Sequence, residues 1–462
     1  MLVAQCSASG VLGAANASMP AAGPPALGSA STMVVRTPPH DLRKAPTAAR
    51  APHARGQRVG WWLFVAHLAT VAGLAVSNIF HGLALLWTIA SGARRRFTRW
   101  RWSRLRPLLA PLGWYYLFLA VSVAMSYDPR RSLGALGEVI TLSTLPLAAL
   151  WVRGPRATRR VFDVLIAVSG LLAAYGIGQF FFSDYGSIQK RIPGPFSHYQ
   201  TFAGVLLIGD LLLIARLAAP GGRRRGWEWV TLVAVNWTLV LTMTRGSWVA
   251  LVSAFAVLVV VLGRWRMLFF GLPTLLLVVA LAPASWQARA RAIWDLRDPS
   301  SYDRLCMAEA SLHMVRDRPL FGLGPRQVKE RYPIYRHPTA VRYQVTHLHN
   351  SFLQQAAERG LLALGAYVWL MLRCAQLAHR GYRRSLARGG GRASLHLGVL
   401  LVLVGFNVAG LFEANWRDTE VQRLVLFVLA VPLCLWPART PVPDPSRATR
   451  RATSAAVPAR AR

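Results

Sequence analysis

The residues best suited to acid–base chemistry lie together at positions 347–355, in the order His-Leu-His-Asn-Ser-Phe-Leu-Gln-Gln. Ser351 and Gln354 have the spacing of a capping box, which predicts that a helix begins here with Ser351 as its N-cap. The positive end of a helix disfavours a nearby imidazolium, so a histidine at this place tends to stay neutral and able to accept a proton. His349 and His347 are both candidate bases, and the adjacent helix start favours His349. The alternative is a loop histidine that only hydrogen-bonds to the backbone.

Two arginines stand at turns between apolar blocks, where they could meet an anion. Arg191 lies in Lys-Arg-Ile-Pro-Gly-Pro, and Arg245 lies in Thr-Arg-Gly-Ser. The planar guanidinium matches the geometry of phosphate oxygens, and its charge is effectively permanent. Together with the helix start after His349, the two arginines predict an anion site at one membrane surface. The alternative is a pair of arginines that only snorkel to lipid headgroups.

Three polar residues, Asp210, Glu358 and Asn407, fall inside apolar blocks. Ionisable groups in a membrane are costly, which makes them functional candidates by default. Glu358 is followed by Arg359, so a structural ion pair is an equally good explanation there. Asp210 could belong to a proton or ion pathway, which keeps a secondary transporter as a rival class of function.

Signals for cofactors are weak. Residues 322–325, Gly-Leu-Gly-Pro, resemble part of a phosphate loop but lack the Lys-Ser/Thr that follows in an ATP site. External loops contain no Asp-x-Asp pair, and the four cysteines are far apart without a Cys-x-x-Cys pair. We therefore expect no cofactor, no metal and no disulfide framework.

The composition places these residues in a membrane protein. The chain has 462 residues, of which 54% are hydrophobic and 16% charged, whereas a soluble domain is usually about 25% charged. Its 54 basic and 18 acidic residues give a net charge of +36, which could suggest nucleic acid. The charges, however, separate apolar blocks of membrane-spanning length. We therefore predict an all-α polytopic protein of the lipid bilayer, with no nucleic-acid partner.

The apolar blocks predict about twelve transmembrane helices. The first block, 61–90, is too long for one upright helix at ~1.5 Å per residue, so it is predicted to form two short ones. Asn78 and His81 lie near the centre of that block. The other predicted helices are 107–126, 133–152, 161–182, 199–217, 227–243, 247–263, 267–283, 351–372, 395–412 and 421–436.

The arginines predict the topology. Five clusters, at 94–106, 153–160, 216–225, 264–266 and 373–392, hold 23 arginines and fall on one side only if 61–90 crosses twice. The positive-inside rule then places these clusters and both termini in the cytoplasm. The long polar segment 284–350 would lie outside, and a loop of this length between spans is more often functional than passive.

These features divide the chain into five segments. The two end segments are rich in Ala, Pro and Arg and lack apolar periodicity, which is typical of disorder. The division is a disordered cytoplasmic extension (1–57), membrane helices with the candidate donor-binding arginines (58–283), a long periplasmic loop (284–350), membrane helices (351–436) and a disordered basic tail (437–462).

Several stretches of the sequence, taken together, resemble those of a known protein family. They are Tyr302-Asp-Arg304, the run Arg-Pro-Leu-Phe-Gly-Leu-Gly at 318–324, His349-Asn350, the two arginines 191 and 245, and the segment 410–421. On these stretches the chain resembles the O-antigen ligase/polymerase family of bacterial envelope glycan enzymes over 61–436. The ligase pattern is a His, then Asn, Ser or Gln, nine residues, a Gly, two residues, and a Gly, Thr or Tyr. Gly360 matches this pattern, and Ala363 departs from it, which weakens the distinction between ligase and polymerase.

The resemblance implies a membrane fold like that of the C-type glycosyltransferases and an inverting, metal-independent transfer of a glycan from undecaprenyl diphosphate. His349 would be the base, and Arg191, Arg245, Arg304 and Asn350 would bind substrate. The expected acceptor is a hydroxyl such as that of lipid A–core. The expected location is the bacterial inner membrane, with the active site facing the periplasm. A repeat-unit polymerase of O-antigen or exopolysaccharide, or a protein O-oligosaccharyltransferase, would use the same chemistry, so these alternatives stay open.

Overall fold

The computed structural model describes residues 52–92, 102–187, 190–220, 225–266, 269, 284–291, 295 and 298–435. In these ranges the regular elements are helices, and there is no strand. We number them α1 (Pro52–Ala69), α2 (Leu74–Ala90), α3 (Trp102–Ala124), α4 (Pro129–Trp151), α5 (Gly154–Phe182), α6 (Tyr199–Ala218), α7 (Gly226–Leu241), α8 (Arg245–Leu262), α9 (Ala284–Arg291), α10 (Pro299–Asp317), α11 (Val328–Tyr335), α12 (Ser351–Leu386), α13 (Ala393–Ala409) and α14 (Thr419–Cys434).

Six described helices, α3, α4, α5, α6, α8 and α12, are long and apolar enough to cross a membrane. The helix α6 is the most enclosed, because 78% of its apolar stretch is buried against 39–50% for the other five. It packs against α13, and nearly every residue of α14 is buried as well. The expected all-helical membrane protein is confirmed; the count of about twelve spans and the C-type fold stay predictions.

The first apolar block forms two helices, as expected. A short turn at 70–73 separates α1 from α2, and the two helices pack together through the ring nitrogens of His67 and His81, 3.0 Å apart. The helix α1 begins at Pro52, so the extension predicted as disordered over 1–57 is wrong in its last residues. Proline is well tolerated at a helix start, where its missing N–H costs nothing. The predicted span 267–283 and the tail 437–462 lie outside the described residues.

The predicted continuous helix 133–152 is irregular. The stretch α4 consists of short helical pieces, among them a 3₁₀ segment over Leu133–Gly137. Two glycines in five residues weaken helix propensity there. The interruption is followed by Glu138, which reaches back into the protein and forms an ion pair with Arg359 at 2.5 Å.

The segment 284–350, predicted as a loop, contains the three helices α9, α10 and α11. Its small core is separate from the main bundle core and includes Met307, Ala310 and Met314 from α10, with Tyr332 from α11. The three apolar residues of α10 recur at helical spacing, which indicates a helix with one buried face. The many charged residues of the segment make this pattern hard to see in the sequence. The connection between the membrane helices is therefore itself helical in part, and this segment can hold side chains in fixed positions.

The helix α12 breaks at Gly360, so the predicted single span 351–372 consists of a short first helix and a longer second one. Gly360 has φ 81° and ψ 172°, and a Cβ there would lie 2.1 Å from the Leu320 carbonyl oxygen. The turn at 318–324 lies this close to Gly360 because it caps the carboxyl end of the short first helix. The N–H of Leu323 donates to the Ala357 carbonyl at 2.9 Å, and the Gly324 N–H donates to that of Glu358 at 3.0 Å. The motif that resembles a phosphate loop is thus a helix cap.

Asp210 and Asn407 have protein partners, whereas Oε1 of the buried Glu358 has no hydrogen-bond partner among the described residues. Arg359 pairs with Glu138 rather than with the adjacent Glu358, so the expected ion pair between neighbours is wrong. Glu358 and Arg359 do not form this pair because consecutive residues of a helix point to different faces. Asp210 accepts a hydrogen bond from the Asn236 side chain at 3.0 Å, and Asn407 accepts one from the Tyr367 hydroxyl at 3.2 Å. These contacts join helices and are consistent with structural roles.

Candidate active site

The amino ends of five helices, α6, α8, α10, α12 and α14, meet at one end of the bundle. Hydrogen bonds connect them in pairs. The Thr201 hydroxyl at the start of α6 donates to Asp418, the N-cap of α14, at 2.5 Å. The Ser351 hydroxyl at the start of α12 donates to Asn415 at 2.7 Å. Each amino end carries a partial positive charge, so their convergence makes this end of the bundle attractive to an anion.

The centre of the site is a carboxylate between two imidazoles. Oε2 of Glu413, in the connection between α13 and α14, lies 2.8 Å from Nδ1 of His349 in a hydrogen bond. Oε1 of the same carboxylate lies 2.8 Å from Nε2 of His347, but this contact is poorly aligned for a hydrogen bond. The two imidazole rings are 4.3 Å apart between centroids.

Hydrogen bonding distinguishes the two histidines. Glu413 is an acceptor, so it fixes the proton of His349 on Nδ1 and leaves the lone pair on Nε2. Nε2 of His349 makes no hydrogen bond within the described residues and is not sealed from solvent. In His347, Nδ1 lies 2.9 Å from the Thr346 hydroxyl in a hydrogen bond, whereas Nε2 faces Glu413 without making one among the described residues. The geometry therefore favours His349 as the histidine that can accept a proton.

Glu413 is anionic at neutral pH. Burial opposes its charge, but the adjacent imidazoles of His347 and His349 outweigh this and hold the pKa of Glu413 well below its ordinary value. His198, the N-cap of α6, also faces the carboxylate. Burial lowers the pKa of His198, and although Glu413 acts in the opposite direction, the net result is a neutral imidazole.

The local backbone explains how His349 reaches Glu413. The N-cap of α12 is Asn350, not Ser351 as predicted, because the Asn350 side chain accepts from the N–H groups of Phe352 and Leu353 at 2.9 and 3.1 Å. Asparagine and serine are comparable N-caps, so propensity alone does not choose between these two residues. His349 itself has φ +48°, a left-handed conformation that is uncommon outside glycine and concentrates at functional sites.

Asn350 was predicted to bind substrate. Its amide also donates to the Leu411 carbonyl at 3.2 Å, so both ends of the side chain make structural hydrogen bonds. These bonds tie the start of α12 to the segment that carries Glu413. Direct substrate binding by Asn350 stays a prediction.

The predicted arginines gather beside the carboxylate. Arg245 is 6% exposed, and its guanidinium donates to Ser300 and Asp298, both at 3.1 Å. Arg304 donates to the same Ser300 hydroxyl at 3.4 Å. Arg191 lies over the ring of Tyr199, with 4.6 Å between its Cζ and the ring centroid.

Electrostatics show that these cations are close neighbours. Burial lowers the pKa of Arg304, the charge of Arg245 lowers it further, and Glu413 raises it. Arg191 also lowers the pKa of Arg304, which remains charged because arginine's ordinary value is so high. Arg245 is paired with Asp298 and Arg304 interacts with Glu413, so the three arginines still outnumber these two carboxylates.

A cavity of about 240 Å³ opens between α6 and the segment before α14. His347 and Glu413 line it, whereas His349 and the three arginines lie outside its walls. The other lining residues are His198, Gln200, Thr201, Ala414, Asn415, Arg417 and Asp418.

One carboxylate and two imidazoles also form a donor set that a transition metal could take. Ligand atoms of His347, His349 and Glu413 lie within 4.8 Å of one another. The hydrogen bond between Glu413 and His349 already explains their approach. The expectation that no metal is needed stays a prediction.

Sequence reasoning missed Glu413, His198 and Asp418 as site residues. The first lies 64 positions beyond His349 in the chain, so no local spacing could connect the two. A signal was present, because an acidic residue in a short polar connection is unusual in a chain with only 18 acids.

The fold and site define a polytopic helical membrane protein with a histidine–carboxylate pair beside an anion-attracting group of arginines. Residues 230–368 match the family model described as O-Antigen ligase. The match covers less than a third of the chain, and over this region the protein is similar to the O-antigen ligase family. The matched region contains Arg245, Arg304 and His349, whereas Arg191 and Glu413 lie outside it. None of the curated proteins matches the chain.

Proposed function

We propose that this protein transfers a glycan from undecaprenyl diphosphate to a hydroxyl of lipid A–core, at the periplasmic face of the bacterial inner membrane. The observation that carries the proposal is the pairing of His349 with Glu413 next to three arginines. A base and a cationic group, close together at one membrane surface, are what this reaction needs from a protein. The family match, which concerns glycan ligation, supports the same class of chemistry.

In the proposed reaction, Nε2 of His349 takes the proton of the acceptor hydroxyl. The hydroxyl oxygen forms a bond to the anomeric carbon of the donor sugar, and the bond from that carbon to the diphosphate oxygen breaks. Glu413 stabilises the imidazolium that results, as the carboxylate does in a Ser-His-Asp triad. No nucleotide or redox cofactor enters the step.

The leaving undecaprenyl diphosphate gains negative charge as that bond breaks. Arg191, Arg245 and Arg304 are assigned to this charge, because guanidiniums make paired hydrogen bonds with phosphate oxygens. The serines that hold Arg245 and Arg304 keep these cations in place before the donor arrives. Preorganised charge of this kind stabilises a transition state without a cost of rearrangement.

The orientation is testable by reporter fusions. Fusions after Arg96, Arg160, Arg225 and Arg384 should read cytoplasmic, and fusions within 300–340 should read periplasmic, because the arginine clusters mark the cytoplasmic side. A cytoplasmic result at residue 320 would refute the proposed location of the site.

Deletion of the gene, followed by gel analysis of the envelope glycan, separates ligase from polymerase. Loss of the ligated ladder with accumulation of lipid-linked polymer is the expected result for a ligase. Glycan arrested at one repeat unit would instead identify a polymerase. The departure at Ala363 gives this alternative some weight, although Ala363 is fully buried and lies outside the cavity.

A purified enzyme assay tests the metal-independent chemistry. Transfer from a lipid-linked donor should continue in the presence of EDTA, because His349 already has a proton-accepting nitrogen without a metal. Loss of transfer on chelation, restored by a transition metal, would assign His347, His349 and Glu413 a different role.

A further inference from the structure

A second polar cavity, of about 550 Å³, opens far from the candidate active site. Its walls come from the end of α12, the turn into α13, the first residues of α13 and the end of α14. At ~1.5 Å per residue, Arg384 lies about 35 Å along α12 from Gly360. We call this second cavity the arginine-lined cavity, because its walls include Arg380, Arg384, Arg388 and Arg392.

The four guanidiniums have no counter-charge. Within the described residues none of them forms a side-chain hydrogen bond or an ion pair, and no acidic side chain lines the cavity. Arg380 and Arg384 stand one helical turn apart, so their charges project from one face of α12. Four cations around one cavity repel one another, and a bound anion would relieve that repulsion.

A buried imidazole points to a polar ligand. His396 is 7% exposed and lines the cavity, and its Nδ1 has no hydrogen-bond partner among the described residues. Buried polar atoms without partners are costly and need an explanation such as a bound ion or water. Its ring occupies space that only glycine leaves free, since a Cβ at Gly381 would lie 2.2 Å from Cε1 of His396.

The turn around the cavity is preformed. The N–H of Arg392 donates to the Ser385 hydroxyl at 3.0 Å, and the Gly390 N–H donates to the Ser385 carbonyl at 2.8 Å. These bonds fix the start of α13 beside the guanidiniums. The amino end of this helix adds its partial positive charge to that of the arginines.

The rest of the lining identifies the class of anion. Leu377, Pro432 and Leu435 give the cavity an apolar side next to the membrane-crossing part of α12, so the ligand should have an apolar portion. No Phe, Tyr or Trp is among the described lining residues, which leaves no ring to stack on a nucleotide base. The chain's own tail cannot supply the anion, because 437–462 contains six arginines and a single acid.

We propose that the arginine-lined cavity binds the phosphate headgroup of an anionic phospholipid from the adjacent leaflet. The guanidiniums and His396 would bind the phosphate oxygens, and the apolar side would contact the first part of the acyl chains. Basic cavities between membrane helices are a recurrent way to bind such headgroups. This site is independent of glycan transfer, so the two proposals can fail separately.

The test measures lipid binding to the purified full-length protein in neutral detergent, with fluorescent phosphatidylglycerol as probe. Arg384→Gln with Arg388→Gln should weaken binding about 30-fold, because each arginine near a headgroup contributes a factor of about five. The matched control is Arg160→Gln with Arg383→Gln. It removes two exposed arginines outside the cavity and should change binding less than about twofold.

Two competitors separate the possible sources of the phosphate. Unlabelled phosphatidylglycerol should displace the probe, whereas phosphatidylcholine and millimolar inorganic phosphate should not. Displacement by inorganic phosphate at low concentration would overturn the lipid assignment in favour of a soluble phosphate compound. Equal losses in the test and control variants would show that only net charge matters, and the proposed site would then be wrong.

Discussion

Arg245 and Arg384 show how one residue type behaves at the two ends of this bundle. Arg245 is buried and its guanidinium donates to Ser300 and Asp298, which in turn belong to another helix. Arg384 is exposed and makes no side-chain hydrogen bond with the described residues. The first arginine is fixed before any ligand arrives, whereas the second has to be ordered by whatever it binds.

This difference between a fixed and an exposed arginine determines which function each end of the bundle can have. A cation held in place by Ser300 and Asp298 can stabilise a charge that exists only during a reaction, because nothing has to move. Exposed cations around a cavity bind a stable anion and set the topology of the chain. We therefore expect single substitutions to abolish chemistry at the first end and to act additively, in smaller steps, at the second.

The largest expected effect follows from His349→Ala. Loss of the base should reduce turnover of a lipid-linked donor about 10²–10⁴-fold, with donor binding nearly unchanged because the arginines remain. Single-turnover kinetics on the purified protein would measure both the rate of transfer and the binding of the donor.

His313→Ala is the matched control, since this histidine is exposed on α10 and pairs only with Glu309. It should keep normal turnover. If His347→Ala were inactive while His349→Ala worked normally, the site would stand and the assignment of the base would be wrong.

Arg245→Ala should reduce transfer about 10²–10³-fold, the usual effect of removing one group that stabilises developing charge. Arg245→Lys should recover only part of the loss, because a point charge cannot make paired contacts with phosphate. Arg191→Ala should show a smaller loss in the same assay. Arg130→Ala, an exposed arginine, serves as control. Normal activity in both Arg245→Ala and Arg191→Ala would identify these arginines as interfacial anchors.

The sequence was sufficient to predict those features that depend on local patterns of residues. The helix start after His349, the hairpin of α1 and α2 and the membrane character all follow from spacing and hydropathy. The partners of those residues do not, because Glu413, His198 and Glu138 come from distant parts of the chain. The N-cap was misassigned for a related reason. Asn350 and Ser351 are both good caps, and only the tertiary bond from Ser351 to Asn415 decides between them.

Glu413→Gln should have a smaller effect than loss of the base, about 10–100-fold in turnover, as is typical of residues that orient a catalytic ligand. The amide oxygen can still accept from Nδ1 of His349, so the tautomer is kept, but the negative charge that stabilises the imidazolium is lost. The loss should be in kcat, and KM should stay nearly constant. Glu330→Gln, which removes a surface ion pair with Arg131, is the control. Unchanged turnover in Glu413→Gln would show that Glu413 only supports the fold.

The last expected effect is on stability, not on turnover, and concerns Asp418. Burial and the neighbouring Glu420 raise the pKa of Asp418 to about 8. The folded protein therefore retains a proton that the unfolded chain loses at a lower pH, so the wild type loses stability as pH rises towards 8. Asp418→Asn keeps an oxygen acceptor for the Thr201 hydroxyl and cannot ionise. Its stability advantage over the wild type should grow between pH 5 and pH 8 and level off above pH 8. Thermal unfolding of both proteins in detergent across this pH range measures the difference in stability.

The control is Asp184→Asn, at an exposed position, whose stability difference from the wild type should not depend on pH. A pH-independent offset in Asp418→Asn as well would mean that Asp418 is already ionised in the folded protein, and the cavity beside Glu413 would then carry one more negative charge than argued above.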